Sequence, residues 1–338
     1  MQAIRIIRPH ECEVIEIPEP RIGAEEVLIK MKAMGLCGSD LSTYLGKNPL
    51  IAYPRIPGHE IAGEILEKGS SVPDNLRPGL RLTVSPYTSC GTCTACRTGR
   101  VNCCRANQTM GVQRDGAAAE LIKAHYSKVI PAEGMEFERI AFIEPLSVGW
   151  HAASRGDVGP GDTVLVFGCG AIGLGAVVAS AYKGGEVTAV DIDRGKLKKA
   201  RDLGARHTIN SREEDLRERV GEITGGHGPN VVIEAVGIPA TYKDAVELVC
   251  FAGRIVYIGY ASAPVEYETK HFLLKELDIR GSRNALTEDF NSVVRMLLSG
   301  TVDVKELISQ RFPFAETGDA LSFWESHQNQ VTKILITY

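Results

Sequence analysis

The chain has 338 residues, which suits two domains better than one. Charged residues at 24%, apolar residues at 44% and a formal net charge of −4 describe an ordinary globular protein. They offer no basic surface for nucleic acid or for an anionic membrane.

The opening Met1-Gln2-Ala3-Ile4-Arg5 lacks the layout of a signal peptide, so a cytoplasmic location is expected. Short apolar bursts follow at residues 3–7, 12–17 and 27–31, punctuated by Pro18, Pro20 and Gly23. They predict strands of an antiparallel, barrel-like unit, continued at 61–66 and 81–84 around the turn Arg77-Pro78-Gly79. Within this unit Pro57-Gly58-His59-Glu60-Ile61-Ala62-Gly63 sets a histidine beside a glutamate, with glycines on both flanks. Taken alone the triplet is more simply read as a turn with a solvated carboxylate. Cys37 in Gly35-Leu36-Cys37-Gly38-Ser39-Asp40 and Glu144 in Ile143-Glu144-Pro145-Leu146 add a thiol and a second carboxylate, and together these types suit one metal ion.

The nine cysteines are Cys12, Cys37, Cys90, Cys93, Cys96, Cys103, Cys104, Cys169 and Cys250. An odd count without an export signal argues for metal in a reducing compartment rather than disulfides. The ladder Cys90-x-x-Cys93-x-x-Cys96, with Cys104 eight residues on, predicts a closed four-sulfur site that suits zinc and folds an otherwise coreless lobe. Coordination deprotonates each thiol. Cys103 is the spare sulfur; an iron–sulfur cluster or plain buried thiols are the alternatives.

Residues 163–182 are uncharged and long enough to span a membrane, yet their glycines make them read as strand, turn and helix. The strand 163–167 runs straight into Gly168-Cys169-Gly170-Ala171-Ile172-Gly173, the G-x-G-x-x-G fingerprint in its proper setting. Gly168 permits the tight turn, Gly170 lets a pyrophosphate approach the backbone, and Gly173 lets helix and strand pack closely. The helix N-terminus offers free N–H groups and partial positive charge to the phosphates. Asp191 ends the next strand, placed to accept from the adenosine ribose hydroxyls. Ile192 follows it instead of an arginine, which favours NAD over NADP, although Arg194 lies close by. The alternation continues with helices at 196–203, 212–224 and 242–251 and strands at 231–235, 254–259 and 279–283, a doubly wound parallel sheet of about six strands. A helix at 287–298 and a strand at 332–336 close the chain, and this tail is expected to return to the first unit.

Together these residues resemble the zinc-dependent medium-chain dehydrogenases over essentially the whole chain. The family pattern Gly-His-Glu-x2-Gly-x5-Gly-x2-Val is matched by Gly58, His59, Glu60, Gly63, Gly69 and Val72. Ile143-Glu144-Pro145-Leu146-Ser147-Val148-Gly149 resembles the sorbitol and polyol branch, which has Glu where ordinary alcohol dehydrogenases have Cys. Gly281-Ser282-Arg283-Asn284-Ala285 is similar to bacterial sugar-acid members such as the L-galactonate 5-dehydrogenases.

The resemblance implies a GroES-like β-barrel catalytic domain over residues 1–147 and 285–338 and a Rossmann NAD-binding domain over 148–284. It implies one catalytic zinc held by Cys37, His59 and a carboxylate from Glu60 or Glu144, and one structural zinc on Cys90, Cys93, Cys96 and Cys104. Ser39, Glu60 and Glu144 are the candidate catalytic residues, though Ser39 also suits a helix N-cap. Gly168, Gly170, Ala171, Ile172, Gly173, Asp191, Lys196, Ile258, Ser282 and Arg283 are the candidate cofactor contacts. Many relatives carry a histidine five residues after the zinc cysteine to pass the proton to solvent. This chain has Ser42 there, so a relay through Ser39 is expected to end in a ribose hydroxyl, Ser42 and water. Arg283 and Arg114 are candidates to meet a substrate carboxylate. The expected activity is NAD-dependent oxidation of a secondary alcohol in a polyol or sugar acid by a homodimer or homotetramer. An L-threonine-type 3-dehydrogenase and a non-catalytic nucleotide-binding protein are the alternatives.

Overall fold

The computed structural model describes residues 1–338. In chain order its strands are β1 (Gln2–Arg8), β2 (Glu11–Glu16), β3 (Glu26–Leu36), β4 (Glu60–Lys68), β5 (Arg81–Val84), β6 (Leu121–His125), β7 (Val129–Pro131), β8 (Thr163–Phe167), β9 (Glu186–Asp191), β10 (His207–Asn210), β11 (Val231–Glu234), β12 (Arg254–Tyr257), β13 (Asp278–Gly281), β14 (Ile308–Pro313) and β15 (Lys333–Thr337). Two units contain them. Unit 1 comprises Met1–Glu144, Leu286–Gly300 and Val304–Tyr338; unit 2 comprises Pro145–Ala285 and Thr301–Asp303.

In unit 1 the strands pair in the order β14-β15-β3-β4-β5-β7, with β6 also on β3, while β1 and β2 form a separate pair. The pairings are antiparallel except for β14 with β15, which run parallel. β3 extends five residues beyond the apolar burst that predicts it, because its C-terminal half is paired on both sides: Ala33–Leu36 lie against β15, and Met34 and Gly35 against Ile61 and Glu60 of β4. Ile29, Met31, Met34, Leu36, Ile61, Ile65, Ile334 and Ile336 from these strands are all fully buried. The tail therefore returns to the first unit, as β15.

Unit 2 is a parallel sheet in the order β10-β9-β8-β11-β12-β13. The chain winds outward from β8 to β10, then crosses back to β11 on the other side of β8. That reversal opens a crevice at the carboxyl ends of β8 and β11, where open α/β sheets take their ligands. Residues 163–182 divide into β8, a glycine turn and the helix Ala171–Tyr182, and no helix is long and apolar enough to cross a membrane.

Several expected boundaries move. The helix expected at 212–224 is Leu216–Ile223, because the Asp215 carboxylate accepts from the N–H groups of Arg217 and Glu218 and so starts it there. The helix expected at 242–251 is Pro239–Leu248, with the proline in its first turn, where its missing N–H costs nothing. The helices Ile143–Arg155 and Thr317–Ser326 and the strands β10 and β14 carry signals too short or too mixed to stand out. β10 is only His-Thr-Ile-Asn, held in place by its parallel ladder with β9.

Close approach of backbones governs the packing of unit 2. A Cβ on Gly173 would stand 1.8 Å from the Gly168 carbonyl oxygen, and Gly168 itself turns at φ +87°. Gly149 of the helix Ile143–Arg155 lies against Gly175 of the helix Ala171–Tyr182, where a Cβ would meet backbone at 2.3 Å. Neither helix can yield without parting. Gly149→Ala is therefore expected to destabilise unit 2 by about 1–3 kcal/mol through overpacking. Thermal melting should show a midpoint lowered by several degrees, and an unchanged midpoint would refute the close packing.

Candidate active site and metal centres

Gly35 and Glu60 face each other across the β3–β4 ladder, so the loop that leaves β3 and the loop that enters β4 emerge side by side. The first carries Cys37 and the second His59. Ligand atoms of Cys37, His59 and Glu60 all lie within 4.8 Å of one another. Asp40 ties the two loops: its fully buried carboxylate accepts from the Cys37 N–H at 2.8 Å and from the Gly58 N–H at 3.0 Å. Cys37, not Ser39, is the N-cap of the helix Gly38–Tyr44, which leaves the Ser39 hydroxyl uncommitted to capping. Asp40 was missed as a functional residue, although Cys37-x-x-Asp40 has the spacing of a capping box.

Two atoms here ask for a ligand. Ser39 Oγ and His59 Nδ1 are buried and have no hydrogen-bond partner. A half-buried thiol beside a buried imidazole and carboxylate is a donor set that zinc takes. Burial pulls the His59 pKa down, but the neighbouring Cys37 sulfur and the Asp40 and Glu144 carboxylates outweigh it and raise it well above the ordinary imidazole value. The group thus attracts positive charge, and a metal cation would displace that proton. Glu144 stands outside the closest three yet is buried, with Oε1 accepting from the Tyr87 hydroxyl at 2.5 Å. Burial and the Glu60 charge raise its pKa, while His59, Tyr87 and Lys333 oppose that.

Lys333, at the start of β15, is the group that sequence reasoning missed outright. Its Nζ donates to both oxygens of Glu60, at 2.5 and 2.6 Å, and to the Leu36 carbonyl at 3.1 Å, which uses all three of its N–H groups. Burial works to lower the lysine pKa, but Glu60, Cys37 and Glu144 raise it above the ordinary value, so the ammonium is retained. The available signal was a lysine opening the run Lys333-Ile334-Leu335-Ile336, a charge in a strand otherwise buried.

The four sulfurs of Cys90, Cys93, Cys96 and Cys104 also lie within 4.8 Å of one another, with Cys103 outside the group. Cys96 rides on the short helix Thr94–Arg97, and a 3-10 turn, Val101–Cys103, delivers Cys104. The N–H of Cys93 and the hydroxyl of Thr92 point at the Cys90 sulfur, and the N–H of Cys90 points at Cys104. Hydrogen bonds from Thr92 and Cys93 draw the Cys90 pKa down to about 5, whereas desolvation raises that of its neighbour Cys96.

In unit 2 a cavity of about 610 Å3 opens at the carboxyl ends of β8, β9 and β11. Gly168, Gly170, Asp191 and Lys196 line it, as do Ala235, Val236, Ile238, Ala240 and Thr241. Asp191 accepts from the N–H groups of Cys169, Ile192 and Asp193 at 2.7–3.0 Å, so it shapes the glycine loop as well as facing the cavity. Arg194 is held bidentately by Glu213 and does not line the cavity. Ile258 and Ser282 leave β12 and β13 at the same carboxyl edge, with N–H groups bonded to Glu234 and Tyr257 and the Ser282 hydroxyl buried without a partner. Arg283 is exposed; Arg114 is half-buried and donates to the carbonyls of Gln108 and Pro86. Ser42 lies on the helix of Ser39, partly exposed.

Residues 23–134 match the alcohol dehydrogenase GroES-like domain, and residues 171–299 match the zinc-binding dehydrogenase domain. The chain is 36% identical to a sorbitol dehydrogenase of Bacillus subtilis, over 99% of this chain and 97% of that protein. It is 33% identical to L-galactonate-5-dehydrogenase of Escherichia coli, over 96% of this chain and 94% of that protein. The structure of the alcohol dehydrogenase rspB from E. coli CFT073, solved with NADH, superposes with a TM-score of 0.93 at 34% identity, covering 100% of this chain and 99% of that one. With a thiol set against a buried imidazole and carboxylate in one unit, a four-cysteine lobe beside them in sequence and a dinucleotide fold in the other, this chain belongs to the zinc-type alcohol and polyol dehydrogenase family.

Proposed function

We propose that this chain oxidises a secondary alcohol of a polyol or sugar acid, L-galactonate-like, with NAD as hydride acceptor. The observation that carries the reading is the convergence of Cys37 on the buried His59 and Glu60, with the Ser39 hydroxyl and His59 Nδ1 left without partners beside them. When bound, zinc supplies Lewis acidity toward the alcohol oxygen and NAD supplies the hydride acceptor. Cys37 and His59 hold the ion, with Glu60 or Glu144 as the third ligand. Lys333 offsets the charge of Glu60, so a thiolate and two carboxylates can share one site without a large excess of negative charge. Ser39 Oγ takes the substrate's hydroxyl proton and hands it on through Ser42 and water, in place of a histidine relay. Cys90, Cys93, Cys96 and Cys104 hold a second zinc that folds their lobe.

The choice of NAD over NADP is supported by Asp191, whose carboxylate faces the cavity where a 2′-phosphate would have to sit, and by Arg194, which Glu213 already engages. Arg283 and Arg114 are the candidates for a substrate carboxylate. Lys196, Ile258 and Ser282 are read as further cofactor contacts.

Metal analysis of the purified chain should return about two zinc ions per chain. Cys37→Ser should lose one of them and all turnover while binding NADH as before; normal turnover would overturn the site. A panel of polyols, aldonates and amino alcohols, followed by NADH absorbance, should show activity on the first two groups. With NADP in place of NAD, kcat/KM should fall by about a hundredfold, since like charges brought together cost several kcal/mol; a preference for NADP would refute the role of Asp191. Lys333→Met leaves Glu60 charged and unpaired in the interior, which should cost about 3–5 kcal/mol. Denaturant unfolding should show most of that loss restored in the double variant Glu60→Gln/Lys333→Met, and additive losses would refute the pairing.

A further inference from the structure

Glu234 ends β11, is completely buried, and takes no part in the chemistry above. Its Oε1 accepts three hydrogen bonds: from the N–H of Val236 at 2.9 Å, the N–H of Gly237 at 2.8 Å and the hydroxyl of Thr241 at 2.8 Å. Its Oε2 is buried without a partner, packed so close to Gly259 that a Cβ there would stand 2.8 Å away. The backbone carbonyl of the same residue accepts from the N–H groups of Ile258 and Gly259. Tyr242 adds a further tie by donating its hydroxyl to the Gly259 carbonyl. One residue therefore holds two segments at the carboxyl edge of the sheet: with its side chain the turn after β11 and the first turn of the helix Pro239–Leu248, and with its main chain residues 258–259.

A buried carboxylate with no cation is expensive to keep, and an apolar residue would serve ordinary packing at lower cost. What the carboxylate does here is aim three donors at one oxygen and so set the path of 235–241. That segment is a wall of the 610 Å3 cavity, through Ala235, Val236, Ile238, Ala240 and Thr241. The wall also sets the glycine loop: a Cβ on Gly168 would stand 2.8 Å from the Val236 side chain and 3.3 Å from the Ala235 carbonyl. A displaced wall would crowd the turn on which the pyrophosphate rests.

We propose that Glu234 is a positioning residue for the dinucleotide, acting through Val236, Gly237 and Thr241; this rests on the reading of the cavity as the NAD site. Oε1 must remain an acceptor, whereas the negative charge is dispensable. Glu234→Gln keeps the acceptor and should leave affinity for NADH nearly unchanged. Glu234→Ala removes it and should weaken NADH by about tenfold or more, because the stranded donors no longer hold the wall. Thr241→Val removes a single donor from a part-exposed position and should weaken NADH by about threefold.

The test is fluorescence titration of each zinc-loaded full-length variant with NADH, well below its melting temperature, alongside amide hydrogen exchange without cofactor. The expected result is loss of Val236 and Gly237 protection in Glu234→Ala, retention in Glu234→Gln, and the ranking of affinities given above. In steady state, KM for NAD should rise in Glu234→Ala and Thr241→Val while kcat stays within about twofold, since the wall holds the cofactor and does not touch the reacting bond. NADH binding to Glu234→Ala as tight as to the wild type, or Glu234→Gln as impaired as Glu234→Ala, would overturn the inference. Should Glu234→Ala fail to fold, an unchanged affinity in Thr241→Val overturns it. A wild type that binds neither NADH nor NADPH would instead sink the cofactor reading, and this inference with it.

Discussion

A lysine ammonium and a glutamate carboxylate, both withdrawn from water, sit where three strands of unit 1 meet. Lys333 opens β15, Glu60 opens β4, and the Leu36 carbonyl that completes the lysine's contacts ends β3. A slip of any of these strands by one residue would turn the charge to the opposite face and leave it unpaired among fully buried isoleucines. The pair therefore helps to specify the register that also sets Cys37 beside His59. It shapes the site's electrostatics too, placing one permanent positive charge among a thiol and two glutamates.

The same economy recurs at the loop ends. Asp40 binds the N–H groups of Cys37 and Gly58, Asp191 those of Cys169, Ile192 and Asp193, and Glu234 those of Val236 and Gly237. In each case a short acidic side chain satisfies backbone donors that no strand or helix could pair. In each case the loop so held carries a residue of the candidate metal group or of the cavity in unit 2. Rigid carboxylate anchors let these loops keep irregular paths without losing position, as a site that must place donors within tenths of an ångström requires.

Glycine does complementary work where an anchor cannot. Gly35 leaves room for the Glu60 carboxylate, since a Cβ there would be 2.0 Å from Oε2. Gly173 and Gly168 bring turn and helix into contact, and Gly259 admits Glu234. At Gly35 and Gly259 acid and glycine thus come in pairs: one fills the space that the other vacates.

β10 alone of the parallel strands was too short to stand out, and the tail's return as β15 rests on a pairing with β3 across nearly the whole chain. Local patterns in the sequence were enough for the other five parallel strands, the glycine loop with Asp191 and the four-sulfur lobe. Each depends on residues close together in the chain, or on an apolar period that only one kind of strand satisfies. The trio of candidate ligands was legible as types, because Cys37 and Gly58-His59-Glu60 carry their own glycine punctuation. The partners of that trio were not. Lys333 is 273 residues from Glu60, and nothing within β15 marks which carboxylate its charge serves. Ser39 was legible as a polar residue near a helix start, but its freedom from capping follows only from where Cys37 and Asp40 fall. Glu234 looked like one more residue of the apolar strand 231–235; two of its donors come from the irregular turn at Val236 and Gly237 and the third, Thr241, from the helix that follows. The sequence by itself determined which elements form and which chemical groups are available. The tertiary structure alone decided which charges are buried together, because the cost of desolvating a charge is set by the partners that long-range strand pairing brings to it.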